Sequence, residues 1–148
     1  MKQFTEDNLV EQPAIKLFQE LGFEYQNHYQ EKFGSEEERN EINDVVLVRQ
    51  LRESLAKLNP NVSAEAIELA IEELTKSRAN LDLVQANKEV YDLIKNGVKA
   101  EVTGENGDRE IERVKVIDFE NPENNHFYLA SQLWVAGDMY KRRADLVG

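Results

Sequence analysis

The sequence predicts one α+β (α/β) domain over residues 1–148, with a helical front, about 1–96, packed on a mixed β-sheet from about 97–148. Three observations predict it. Apolar residues recur at helical spacing through the front of the chain, the period changes to alternation after Gly97, and a twelve-residue run, "HFYLASQLWVAG", carries no Lys, Arg, Asp or Glu. At 148 residues, 41% apolar and 32% charged, the chain can bury one real core and has the composition of a folded protein rather than a disordered one.

Each element follows from local chemistry. Thr5 can cap a first helix, Glu6 and Asp7 suit its positive end, and Phe4 can staple onto Leu9. Leu9, Val10, Ala14, Leu17, Phe18 and Leu21 continue at helical spacing up to Gly22, a stop. Pro13 removes one internal hydrogen bond at a cost of about 3 kcal/mol. It either kinks this helix or marks a start near Gln12, and the kink is the preferred expectation. The acid-rich stretch 27–43 lacks a period and reads as an irregular connection.

A second helix is expected from about Asp44 to Leu58, striped by Val45, Val48, Leu51, Leu55 and Leu58 and stopped by "NPN". A third opens at Ser63 and carries Ala66, Ile67, Ala70, Ile71 and Leu74, so the two should pair as an antiparallel hairpin. From about Leu81 to Asn96 a fourth presents Leu83, Val84, Ala86, Val90, Tyr91, Leu93 and Ile94 before Gly97. "VKAEV" and "IERVKVIDF", joined by "TGENGDRE", predict a β-hairpin. After the turn "NPENN", the uncharged run should be a central strand covered on both faces, and "DMYKRRADLVG" a strand entering its sheet.

Composition also excludes functions. Without cysteine there are no disulfides and no thiolate chemistry, and two histidines, His28 and His126, do not make a histidine-rich metal site. The start "MKQFTEDN" lacks a secretory pattern and no apolar run is long enough for a membrane span, so a cytoplasmic location is expected. The formal net charge of -11 opposes free binding to a polyanion. Any DNA contact should therefore be local; up to residue 80 there are 16 acids against 9 bases, whereas from Asn121 onward the count is three against three, so the acidity belongs mostly to the helical front.

Alternation along the last strand places Arg143, Asp145 and Val147 on one face and Arg142, Ala144 and Leu146 on the other. An acid on a largely buried strand needs a partner, either an arginine in a structural salt bridge or a divalent cation such as magnesium. Arg142 and Arg143 read as a solvated strand end or as phosphate contacts, and spacing does not separate these readings. Glu11 is a second candidate ligand or a solvent-facing glutamate, and His126 is a turn residue rather than a base. Gln132 and Trp134 share a strand face and could form a polar site with an apolar wall, or simply belong to the core.

"NGVKAEV", "VKVIDFENPENNHFYLASQLWV" and "KRRADLVG", in this order, resemble the N-terminal region of the restriction (R, motor) subunit of type I restriction-modification enzymes. Val116 to Phe119, Pro122 to Asn125, Phe127 to Gln132 and Arg142 to Asp145 carry the likeness, and "LNP" and "ANKEVYDLIKNGV" extend it. The resemblance implies a truncated PD-(D/E)xK nuclease fold at the front of an ATP-dependent DNA translocase. It also implies Mg2+ and ATP as cofactors, and as partners DNA and the modification and specificity subunits. It places Asp145 on the aspartate that begins the nuclease signature and Glu11 near a helix-borne glutamate; Arg142 and Arg143 beside Asp145 are then the candidate DNA contacts on the phosphate reading of these residues given above. Ala144 departs from the family's usual proline, and the Glu-x-Lys, the later glutamine motif and the ATP-binding loop are not found here. The polypeptide is therefore expected to be a fragment, inactive alone, of a magnesium-dependent endonuclease that cleaves unmodified foreign DNA. The alternatives are a docking module for subunit assembly and an acidic DNA mimic.

Overall fold

The computed structural model describes residues 5–42, 44–137 and 139–148, and within the first helical turn the side chains of Asp7 and Asn8 are outside that description. The expected staple from Phe4 to Leu9 lies outside the described residues. The fold is mixed α+β, in two compact units: Met1–Val45 with His126–Gly148, and Val46–Asn125.

Unit Val46–Asn125 contains α2 (Val48–Leu58), α3 (Ala64–Thr75), α4 (Leu83–Asn96) and a two-stranded antiparallel sheet of β2 (Val98–Thr103) and β3 (Arg109–Val114). Helix α2 begins at Val48 rather than Asp44, because the chain at Leu47 is not yet helical and no side chain caps an earlier start. The Ser63 hydroxyl accepts from the Ala66 N–H as the sequence predicts, and the Glu112 carboxylate accepts from the Ser63 hydroxyl and N–H. Helix α4 is capped by Asp82, whose carboxylate accepts from the Gln85 N–H at 2.9 Å, and is stopped by Gly97.

Helix α3 packs against α2 and against the sheet, and the core joins Leu55, Ile67, Ala70 and Ile71 to Val98, Ala100, Val102 and Val114. Alternation in β2 puts every second residue into this core. Helix α4 contributes less than its apolar pattern predicts. It buries no residue fully, and Leu83, Val84 and Tyr91 face solvent.

Strand β3 ends at Val114, and Val116 to Phe119 are not a strand extension. The Asp118 carboxylate accepts from the N–H groups of Glu120 and Asn121 at 3.2 and 3.0 Å and from the Asn124 amide at 3.1 Å. Asn125 accepts from the Asp118 N–H and donates to its carbonyl, both at 2.8 Å. These side-chain bonds replace the ladder a strand would need, and the short 3-10 turn Pro122–Asn124 sits inside them. Asn59 of the "LNP" element works similarly, bonding the Leu55 carbonyl and both backbone groups of Lys115 at 2.7 to 2.8 Å.

The other unit begins with a π-helical turn, Asp7–Glu11, running into α1 (Gln12–Glu20) with Pro13 in the first turn of the regular helix. Backbone at Glu11 stays helical, so the missing proline hydrogen bond is accommodated by a local change of hydrogen-bond pattern within a continuous helical segment. Strand β1 (Glu24–Asn27), which the periodicity does not reveal, pairs in parallel with the uncharged β4 (Tyr128–Ala136), and β5 (Lys141–Val147) pairs with β4 antiparallel. The order β1-β4-β5 makes β4 central, as predicted, and buries Leu129, Ala130, Ser131 and Leu133.

The segment after β1, expected to be irregular, is organised around Arg39, which is wholly buried. Its guanidinium grips both oxygens of Glu31, at 2.9 and 2.5 Å, and donates to the carbonyls of Asp44 and Trp134 at 2.6 and 2.8 Å. A buried charge is tolerable only when paired and hydrogen-bonded this fully. His28, also buried, meets the Tyr128 hydroxyl at 2.8 Å. Among the described residues no helix is long and apolar enough to cross a membrane.

A candidate nucleic-acid and cation site at the open face of the three-stranded sheet

Elements from both ends of the sequence meet at one cavity of about 550 Å³. The first helical segment supplies Glu6, Val10, Glu11 and Gln12. The end of β1 and the turn after it supply Asn27 and Tyr29, β4 supplies Gln132, and β5 supplies Arg143, Asp145 and Leu146. Asp145 and Glu11, nominated separately from the sequence, thus share a cavity with Arg143. Arg142 does not line it; this arginine sits opposite Val135 on the exposed end of β5.

Asp145 differs from expectation in its surroundings. Strand β5 was expected to be largely buried, but only Ala144 and Leu146 are half-covered, while Lys141, Arg142, Arg143 and Asp145 are exposed. The reason is topological: among the described residues β5 has one sheet neighbour, β4, and its other edge carries no strand. Asp145 makes no ion pair among the described residues. The structural salt bridge with a neighbouring arginine is therefore absent, and burial does not force a partner on this carboxylate.

Arg143 is held differently. Its guanidinium lies over the rings of both Tyr29 and Trp134, at 5.3 Å from each centroid, and Lys141 covers the Trp134 ring at 4.8 Å. The Tyr29 N–H donates to the Asn27 side chain at 2.9 Å, which fixes the turn that presents the Tyr29 ring. Stacking orients the planar cation while leaving its edge available to an anionic oxygen.

Gln132 is the most unusual residue here. Its φ of +56° is the single positive value outside glycine among the described residues, and it falls in the central strand. The β4–β5 register runs from Ser131↔Leu146 to Leu133↔Ala144 and skips the intervening Gln132 and Asp145. A left-handed backbone costs a non-glycine residue about 1 to 2 kcal/mol. The side chain it aims donates from Nε2 to Glu11 Oε1 at 2.6 Å.

His126, expected in a turn, lies just before β4 and pairs with Glu24 at 2.8 Å, away from the cavity lining. Sequence reasoning missed Glu6, Asn27 and Tyr29 as lining residues, since neither period nor motif marks a helix-start acid, a strand-end amide or a turn tyrosine that only the fold brings to the site. Trp134 was legible as a partner of Gln132, but its role is to stack the cations.

Among the described residues no three His, Cys, Asp or Glu side chains stand close enough to form a complete metal cage. The donors present, carboxylate and amide oxygens, nevertheless suit magnesium, which is commonly held by one or two carboxylates and completes its shell with water and substrate oxygens. Carboxylates and a stacked guanidinium on one open wall can bind a hard cation and an anionic oxygen side by side.

Residues 3–148 match the family model described as Type I restriction enzyme R protein N terminus, and the chain belongs to this family. It is 36% identical over 148 residues to the Type I restriction enzyme HindI endonuclease subunit of Haemophilus influenzae, covering 96% of this chain and 14% of that protein. It is 32% identical over 133 residues to the putative type I restriction enzyme MjaIXP endonuclease subunit of Methanocaldococcus jannaschii, covering 90% of this chain and 12% of that protein. The chain therefore spans only a small part of the length of these curated relatives. No solved structure gives a significant match.

Proposed function

We propose that this chain carries part of the nuclease site of a type I restriction enzyme R subunit, on a PD-(D/E)xK-type framework. Its longer polypeptide would act as an ATP-dependent DNA translocase and magnesium-dependent endonuclease in the cytoplasm, with the modification and specificity subunits. The observation that carries this reading is the meeting of Glu11, from the first helical segment, with Asp145 and Arg143, from β5, at one cavity.

Within this reading Asp145 and Glu11 would hold a magnesium ion, and Arg143 would receive a non-bridging phosphate oxygen of DNA. When bound there, magnesium would supply charge neutralisation at the phosphate and a lowered pKa for a coordinated water. Asp145 is suited to its role because it is exposed and makes no competing ion pair among the described residues. Gln132 occupies one Glu11 oxygen and so fixes the carboxylate's orientation. The Tyr29 and Trp134 rings confine Arg143 to the same wall.

The test is Asp145→Ala in the full R polypeptide assembled with its partner subunits. Cleavage of unmodified plasmid should fall at least a hundredfold, a loss of about 2.7 kcal/mol or more of transition-state stabilisation, while ATP hydrolysis continues near the wild-type rate. Undiminished cleavage by the Asp145→Ala complex would refute the reading.

A further inference from the structure

We propose that Gln132 is a positioning residue of this site, and that its left-handed backbone exists to point its amide at Glu11. The inference rests on the nuclease reading and deepens it.

Two features of Gln132 that need not coincide do so. One is conformational: a side-chain-bearing residue at φ +56° in the middle of the central strand, between buried Ser131 and buried Leu133. A regular strand residue at this place would satisfy both its neighbours' packing and its own backbone preference, so the departure needs a cause. The other is chemical: the amide donates to Glu11 Oε1 at 2.6 Å, linking β4 to the π-helical turn more than a hundred residues earlier in the chain. The register also skips the pair Gln132 and Asp145, so the strained residue sits across the ladder from the acid of β5.

Packing alone does not account for this arrangement. Gln132 is only half-buried and lines the open cavity, so its side chain could be solvated without strain. A donor that occupies one Glu11 oxygen leaves the other as the free acceptor. Glu11 is thereby held as a one-sided ligand on the wall it shares with Asp145.

Gln132→Gly and Gln132→Ala separate backbone from side chain. Both lack the amide, but glycine accepts φ +56° without penalty and alanine does not. In the assembled full-length R polypeptide, both variants should lose cleavage at least tenfold and need several-fold more magnesium for half-maximal rate. By contrast, amide exchange in residues 128–136 should be faster in the alanine variant than in the glycine variant. Gln132→Asn, which tolerates the left-handed region and keeps a shorter amide, should restore part of the rate.

If Gln132→Gly cleaves like the wild type at all magnesium concentrations while Asp145→Ala is inactive, the positioning role is wrong and the nuclease reading stands. If cleavage follows backbone protection rather than the amide, Gln132 is merely structural and the proposal also fails. If Asp145→Ala cleaves normally, both fall together.

Discussion

Asp118 accepts hydrogen bonds through both carboxylate oxygens within the turn that follows it, and Lys115 stands 3.8 Å away. The Asn124 amide, the Asn121 N–H and the Lys115 charge hold its pKa below the ordinary aspartate value. A lowered folded pKa means that the unfolded chain binds the proton more readily. The carboxylate's contribution is therefore complete above the ordinary aspartate value of about 3.9 and is lost as pH falls through the lower folded value. The thermal midpoint should drop more steeply between about pH 4 and pH 3 in the wild type than in Asp118→Asn. Equal slopes would show that the turn does not depend on this charge. Asp118 also marks the limit of reading residues from sequence. "VIDF" alternates like a strand, and only the bonds to Asp118 from the Asn121 N–H and the Asn124 and Asn125 side chains turn it into a corner. Asp145 and Glu11 were nominated through their place in a family pattern and line one cavity, whereas the φ of Gln132 has no signature in its neighbours.

Elements with strong local chemistry matched their sequence signals. Ser63 caps α3, Gly97 closes α4, and the alternation in 98–114 forms the β2–β3 hairpin. Strand β1 was hidden because four residues, three of them polar, show too little alternation to stand out from a loop. Residues 28–42 read as irregular in the sequence and carry no helix or extended strand in the structure; what the sequence does not show is Arg39 reaching a carbonyl of β4, a long-range bond that local sequence does not encode. Gly97 gives a direct test at this scale. Its φ is +78°, and a Cβ added there would lie 2.7 Å from the Val114 carbonyl oxygen, where α4 hands over to β2. Gly97→Ala should cost about 2 to 4 kcal/mol, combining left-handed strain with overpacking. Gly107→Ala, at φ +83° with nothing within 4 Å, should cost only the conformational part, about 1 to 2 kcal/mol. Equal losses in urea titrations would mean that the approach to Val114 carries no penalty.

For the whole molecule, charge and site composition point the same way. A net charge of -11 disfavours DNA, and Lys141, Arg142 and Arg143 are the only basic residues from Asn121 onward that could oppose it near the cavity. The described lining of the cavity offers carboxylates, amides and one arginine but no lysine to position an attacking water. Purified chain of this sequence should therefore leave supercoiled plasmid intact with about 10 mM magnesium, a concentration ample for a weakly held hard cation. Nicking that depends on magnesium and disappears in Asp145→Ala would show that this wall suffices by itself.

The pairing Glu24↔Tyr128 joins strands on either side of the 46–125 segment, which forms a unit of its own. Translation at about 5 to 20 residues per second needs roughly 4 to 16 s to make that segment. During this interval the contiguous unit can fold, while β1 has no β4 to pair with. A nascent chain that has not passed residue 145 holds Glu11 without Asp145. The cavity wall therefore cannot form before residue 145 has been made, and the order of translation itself keeps the two carboxylates apart until β5 has followed β4 into the sheet.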